Sequence, residues 1–208
     1  MREMIQAIVE GDGDKALQET ERALAQGANP LDLVSNGVLA AMDEVGARWR
    51  QGDLFIPEVI IAAEAAKEVM AVVKPHLSED EVPTAGKVVI GTVKGDIHDI
   101  GKNIVKMMLE AGGFQVFDLG VDIPPEDFVE AVTRWKPDVL GMSALLTVTM
   151  LAMRDTIDAL EKAELRDSTK VVVGGACVTS AFAGTIGADG YAADAASAVD
   201  LCRQLCSR

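Results

Sequence analysis

Apolar positions keep two different rhythms along this chain, and the change between them comes near residue 80. From residue 1 to about 77 they recur at helical spacing. The clearest run is Leu31, Val34, Val38, Met42, Val45 and Trp49, whose steps of three and four place all of them on one helix face. Asn29 before Pro30 supplies an N-cap and a first-turn proline, and Gly52 supplies a stop. Pro57 opens a second clear helix through Ile60, Ile61, Ala65, Val69 and Val72. Weaker amphipathic segments cover residues 2–10 and 14–26, each followed by glycine. Short helices joined by brief turns predict a four-helix bundle.

The stretch 78–86 is polar and aperiodic, and reads as a linker. It separates a helical domain, residues 1–83, from a second domain, residues 84–208. In the second, short β-branched runs at 87–93, 115–119, 138–142 and 170–173, with a weaker one at 190–192, alternate with helical patterns. One such pattern is Ile100, Ile104, Met108 and Ala111, ended by Gly112-Gly113. Strand–helix alternation predicts an α/β domain with a parallel sheet covered on both faces. Five strands in that length fit a flavodoxin-like (Rossmann-like), doubly wound sheet.

Composition narrows the function classes. Of 208 residues, 33 are Asp or Glu and 19 are Lys or Arg, for a formal charge of −14. Such a surface repels phosphate backbones and anionic lipid, so neither nucleic acid nor membrane is an expected partner. No apolar run approaches the roughly 20 residues that span a bilayer, and Arg2, Glu3 and Gln6 break any leader-like start. Cys177, Cys202 and Cys206 are too few for a disulfide framework. Cytoplasm is the expected compartment.

In a doubly wound sheet, ligands bind beyond the carboxyl ends of the strands at the switch point. Three unusual stretches fall there. Gly95-Asp-Ile-His-Asp-Ile-Gly101 follows the first strand, Ser143-Ala-Leu145 the third, and Gly174-Gly175 the fourth. With strand order 2-1-3-4-5 these loops share one edge. His98 is a candidate metal ligand, and Asp96 is placed to accept from its other ring nitrogen. Gly101 leaves the backbone approachable by a bulky group. Singly, each motif also has an ordinary reading: a loop His beside a carboxylate, a buried hydroxyl, a tight turn or a phosphate nest. Zinc has no tetrahedral donor set here, and the G-x-G-x-x-G of a dinucleotide site is absent.

Together, Asp96-x-His98-x-x-Gly101, Ser143-x-Leu145 and Gly174-Gly175 resemble the signature of cobalamin-binding domains. Met42-Asp-Glu-Val-Gly46, Trp49, Gly52-Asp-Leu-Phe-Ile-Pro57 and Ala62-Ala63 resemble the helical cap of methyl-carrying corrinoid proteins. The likeness covers nearly the whole chain and points to methanol, methylamine and aryl methyl ether systems, with methionine synthase more distant.

The resemblance implies a corrinoid bound base-off, with His98 as the lower axial ligand of cobalt. It implies that Asp96 accepts from His98 and that the hydroxyl of Thr149 completes the relay, threonine standing where the family has serine. It implies cofactor contacts at Gly95, Asp96, Ile97, His98, Asp99, Ile100, Gly101, Ser143, Leu145, Thr149, Gly174, Gly175, Ala176 and Tyr191. The displaced nucleotide tail would lie near Ser143, Leu145 and the glycine pair. The helical cap would cover the upper face of the corrin, with the linker as hinge. The implied partners are a substrate-specific methyltransferase, a second methyltransferase serving tetrahydrofolate or a thiol, and a reductive activase. Two other cobalamin roles compete. A mutase subunit shares the Asp-x-His-x-x-Gly pattern but needs no such cap, and a regulator needs a basic DNA-binding module that the acidic first half does not offer.

Overall fold

The computed structural model describes residues 1–77 and 84–206. Most of the expected linker and hinge, 78–83, lies outside the described residues. The chain divides into two compact units, Met1–Thr84 with Glu110–Gly113, and Ala85–Leu109 with Phe114–Arg208.

The first unit holds α1 (Arg2–Glu10), α2 (Gly13–Ala25), α3 (Pro30–Leu33), α4 (Leu39–Gln51) and α5 (Ile56–Val73). Asn29 caps α3, its side chain accepting from Leu31 N–H at 3.0 Å ahead of Pro30. The run read as one regular helix from Leu31 to Trp49 contains a π turn at Val34–Val38. Gly37 in that turn admits the Met4 side chain of α1, which a Cβ would overlap. Val34, Val38, Met42 and Val45 of the expected face are buried, whereas at its two ends Leu31 is exposed, with Leu33 buried instead, and Trp49 is only half-buried.

α5 shows a similar correction. Its buried residues are Val59, Ala62, Ala63, Ala65, Ala66, Val69 and Val73, while Ile61 is exposed and Ile60 and Val72 are half-buried. The expected spacing took in Ala65 and Val69 but not Ala62, Ala63 and Ala66, the small side chains that let helices pack closely.

The second unit is a five-stranded parallel sheet in the order β2-β1-β3-β4-β5. Its strands are β1 (Lys87–Thr92), β2 (Gln115–Asp118), β3 (Val139–Ser143), β4 (Lys170–Gly174) and β5 (Gly190–Ala192). Strands β1, β3 and β4 are the almost wholly buried centre, as continuous apolar runs require of a sheet covered on both faces. The helices are α6 (Ile100–Ala111), α7 (Pro125–Trp135), α8 (Leu151–Lys162), α9 (Ser180–Thr185) and α10 (Ala195–Cys206). Phe128, Met153, Ile157 and Leu160 from α7 and α8 pack with Val89, Leu140, Val171 and Val173 of the sheet. Gly91 makes room for the Phe128 ring, since a Cβ there would lie 2.9 Å from it.

Register places the site. Thr92 pairs with Ser143, and Ser143 with Gly174. The three central strands therefore end level, and the loops that follow them leave from one edge.

Candidate functional site

Asp96 is the organising residue of that edge. It is 0 % exposed, and an isolated carboxylate so placed would be strongly unfavourable. Five donors answer it. Oδ1 accepts from His98 N–H at 3.0 Å and His98 Nδ1 at 2.7 Å. Oδ2 accepts from Leu145 N–H at 2.8 Å, Leu146 N–H at 3.3 Å and the Thr149 hydroxyl at 2.7 Å. Burial alone would raise the Asp96 pKa. The Thr149 hydroxyl, the Leu145 and His98 amides and the His98 ring outweigh it and hold the acid well below the usual carboxylate range.

The two oxygens face different loops, one the turn after β1 and the other the turn after β3. Each turn is tied in other ways. The buried Thr92 hydroxyl donates to His98 C=O at 3.1 Å, and Val93 N–H donates to Ser143 C=O at 3.0 Å. Thr149 N–H returns to Leu146 C=O at 3.1 Å. The His98 side chain is 47 % exposed. With Nδ1 bonded to Asp96, Nε2 is the ring atom left to meet a ligand.

Sequence reasoning proposed Gly95, Ile97, Asp99, Ile100 and Gly101 for the same loop. Gly95 has φ 83°, Asp99 is exposed and accepts from Asn103 Nδ2 at 3.1 Å, and Gly101 faces open space. Ser143 ends β3 and Gly174 ends β4, one residue earlier than loops would have placed them. Gly175 has φ 126°, and any Cβ would overlap the Ala144 carbonyl. This pair is a close crossing of two backbones. Ala176 is exposed beside it, while Tyr191 sits mid-strand in β5, half-buried against the sheet's apolar core.

The same turns expose apolar side chains, of which the sequence motifs flagged Ile97, Ile100 and Leu145 but not Leu146, Val148 and Leu151. Ile97 and Ile100 after β1, and Leu145, Leu146, Val148 and Leu151 after β3, are all exposed, Ile100 and Val148 at 76 %. A set of that size on two adjacent loops marks a binding surface. Another residue hidden from sequence reasoning is Lys102, in the first turn of α6. Its buried ammonium bonds both Asp118 oxygens, at 2.7 and 2.8 Å, and Asn103 Oδ1 at 2.8 Å. Burial raises the Asp118 pKa, but the Lys102 ammonium and the Gly120 amide bring it below its ordinary value.

This donor set discriminates among metals. Among the described residues no group of three or more His, Cys, Asp or Glu could hold a metal ion. A single imidazole, oriented from behind by a carboxylate and edged with aliphatic side chains, fits a metal that arrives with its own equatorial ligands in a broad macrocycle whose face can rest on those side chains. Cobalamin is such a group, and the residues here fit it.

A B12 binding domain signature matches residues 86–200, and a second B12 binding domain signature matches residues 1–74. The chain belongs to the B12-binding family. A corrinoid protein of Desulfitobacterium hafniense is 41% identical over 98% of this chain and 95% of its own length. Trimethylamine corrinoid protein 1 of Methanosarcina acetivorans is 44% identical over 95% of this chain and 92% of its own. The solved methanol:cobalamin methyltransferase complex of Methanosarcina barkeri contains a chain with TM-score 0.87 and 32% identity, covering 99% of this chain and 78% of that one. No described helix is long and apolar enough to cross a membrane.

Proposed function

We propose that this B12-binding protein is a corrinoid methyl carrier in which His98 is the lower axial ligand. The observation that carries the reading is the buried Asp96 carboxylate, bonded through one oxygen to His98 Nδ1 and through the other to Thr149. When bound, the corrinoid supplies a cobalt centre that accepts and releases a methyl group. This chain's residues set the conditions for that exchange. Asp96 fixes the ring so that Nδ1–H points inward and Nε2 presents its lone pair outward. The 2.7 Å contact with Asp96 Oδ1 holds the ring at Nδ1 and leaves Nε2 as the atom that would meet the cobalt. Thr149 and the Leu145 amide keep the carboxylate charged and immobile through the cycle.

A base-off cofactor must place its nucleotide tail elsewhere. The edge at Ser143, Leu145, Gly174, Gly175 and Ala176 is where we place it, with Tyr191 further along β5. Ile97, Ile100, Gly95, Asp99 and Gly101 form the surface beside the ring. The two functional domains are residues 1–83 and 84–208.

A carrier needs a donor enzyme and an acceptor enzyme. Relatives bearing trimethylamine and methanol names support a substrate-specific methyltransferase as the first partner. A second methyltransferase, serving tetrahydrofolate or a thiol, and a reductive activase complete the system. The test is reconstitution of wild type and His98→Ala with hydroxocobalamin, followed by electron paramagnetic resonance of the cobalt(II) form. Wild type carrying 15N-labelled histidine should show the two-line axial hyperfine pattern of a 15N ligand, whereas the variant shows no splitting or the three-line pattern of the cofactor's own unlabelled base. Identical spectra from the two proteins would remove His98 from the metal.

A further inference from the structure

The loop carrying His98 has a second anchor, on the strand at the opposite side of β1 from Thr149. Sheet pairing continues past the end of the β1–β2 ladder: Thr92 N–H donates to Gly120 C=O at 3.0 Å, Ile123 N–H to Thr92 C=O at 3.0 Å, and Val93 bridges Ile123. At the tip of this extension stands Asp122. Its carboxylate Oδ1 accepts Gly95 N–H at 2.6 Å, and its own N–H donates to Asp96 C=O at 2.9 Å. The two bonds grip the Gly95–Asp96 segment from both sides.

Asp122 holds this grip from a left-handed conformation, φ 56°. Among the described residues the other non-glycine positions with positive φ, Lys136 and Glu164, lie just past the ends of α7 and α8, where that conformation is the usual way to stop a helix. Asp122 stops nothing. A strained non-glycine residue persists when its surroundings require it, and such residues gather at functional sites. Aspartate tolerates the left-handed region better than most side chains, and here it supplies an acceptor that glycine lacks.

We propose that Asp122 is a positioning residue for the His98 loop. It sets the direction in which the Asp96 backbone enters the buried site, and so the direction in which the imidazole leaves it. This rests on the lower-ligand reading above for its consequence, but not for the loop contact itself.

Asp122→Gly and Asp122→Asn separate the contributions. Glycine relieves the left-handed strain and removes the acceptor; asparagine keeps an acceptor and tolerates the backbone. Hydrogen exchange on the cofactor-free proteins reads the loop directly. The Gly95 amide should exchange at least about tenfold faster in Asp122→Gly, the weight of one hydrogen bond to a charged group, and near the wild-type rate in Asp122→Asn. Titration with hydroxocobalamin should give a Kd raised by about tenfold and a reduced axial-nitrogen signal in Asp122→Gly, both restored in Asp122→Asn. Unchanged exchange at Gly95 overturns the proposal. So does faster exchange with unchanged affinity and spectrum. If His98→Ala matches wild type while Gly95 exchange still depends on Asp122, the lower-ligand reading fails and the loop anchor stands.

Discussion

Thr149 Oγ1 lies 2.7 Å from Asp96 Oδ2, the carboxylate oxygen opposite the one that holds His98. The threonine methyl is directed toward Gly95, 3.5 Å from the point where a Cβ would stand. The added methyl therefore lies within ordinary contact distance of the Gly95 turn without crowding it, and the hydroxyl keeps its bond. Thr149→Val preserves the shape and removes the donor, which should destabilise the protein by about 2 kcal/mol because a buried carboxylate loses a partner. Thr149→Ser keeps the donor and sheds one methyl, with a loss of at most about 0.8 kcal/mol. Urea unfolding of the cofactor-free variants makes the comparison; equal losses would mean that the hydroxyl contributes nothing to holding Asp96.

Asp96→Asn tests the charge. An amide offers one acceptor oxygen where five donors now converge, so either the His98 side or the Leu145 side faces an NH2 group. A destabilisation of about 3 kcal/mol at neutral pH follows from leaving such groups unpaired. The effect has a definite pH dependence. The folded-state pKa lies below the unfolded value near 3.9, so the charged carboxylate stabilises the native protein fully above about pH 5. That stabilisation is lost as the pH falls toward the folded pKa. Wild type should therefore lose stability from about pH 5 to about pH 3.5 more steeply than Asp96→Asn, and parallel curves would contradict the assignment.

Gly175→Ala should be among the most damaging single-methyl additions in the sheet domain. At φ 126° an L side chain is strained, and the new Cβ would overlap the Ala144 carbonyl. Neither backbone moves freely, because Ala144 N–H donates to Gly174 C=O at 3.2 Å and Ala144 leads directly to the Leu145 amide on Asp96. The expected loss is about 2–4 kcal/mol, from backbone strain plus the overlap. Because the displacement reaches Asp96, corrinoid affinity should fall with it. Gly184→Ala, where a Cβ meets open space, is the control, and thermal unfolding with a cofactor titration on both variants decides.

The architecture was legible because its signals are local. Four strands are short runs with β-branched residues bounded by turns, β5 (Gly-Tyr-Ala) is the weak one, and all five lie within a residue or so of their expected limits. Asp96, His98 and Thr149 were legible for a different reason, as a resemblance whose spacing the structure brings into hydrogen-bond contact. Other features were not legible. The π turn at Val34–Val38 leaves no mark on spacing that steps of three and four already satisfy. The buried face of α5 is carried by alanines, which hydrophobic periodicity weighs too lightly. Asp122 and Lys102 act through partners 27 and 16 residues away, and charged residues in a single sequence read as solvent-exposed by default.

Lys102 is the last test, because a cation in the first turn of a helix opposes the helix dipole and gains nothing from that position. Its place is accounted for by Asp118, at the carboxyl end of β2, which accepts from Lys102, from Lys106 at 3.3 Å and from Gly120 N–H at 2.9 Å. The pair ties the start of α6, two residues past Ile100, to the neighbouring strand. Lys102→Met should destabilise by about 3 kcal/mol, since a partly buried carboxylate loses its best partner. Asp118→Asn should cost a similar amount by leaving the ammonium buried against amide oxygens alone. Combining the two removes both charges, while the amide oxygen introduced by Asp118→Asn can still accept from Gly120. The double variant should therefore lie closer to wild type than the sum of the single losses, with a coupling of about 1–3 kcal/mol. Chemical unfolding of the four proteins closes the cycle. Additive losses would show that the two charges do not answer one another and that α6 is held in place by packing alone.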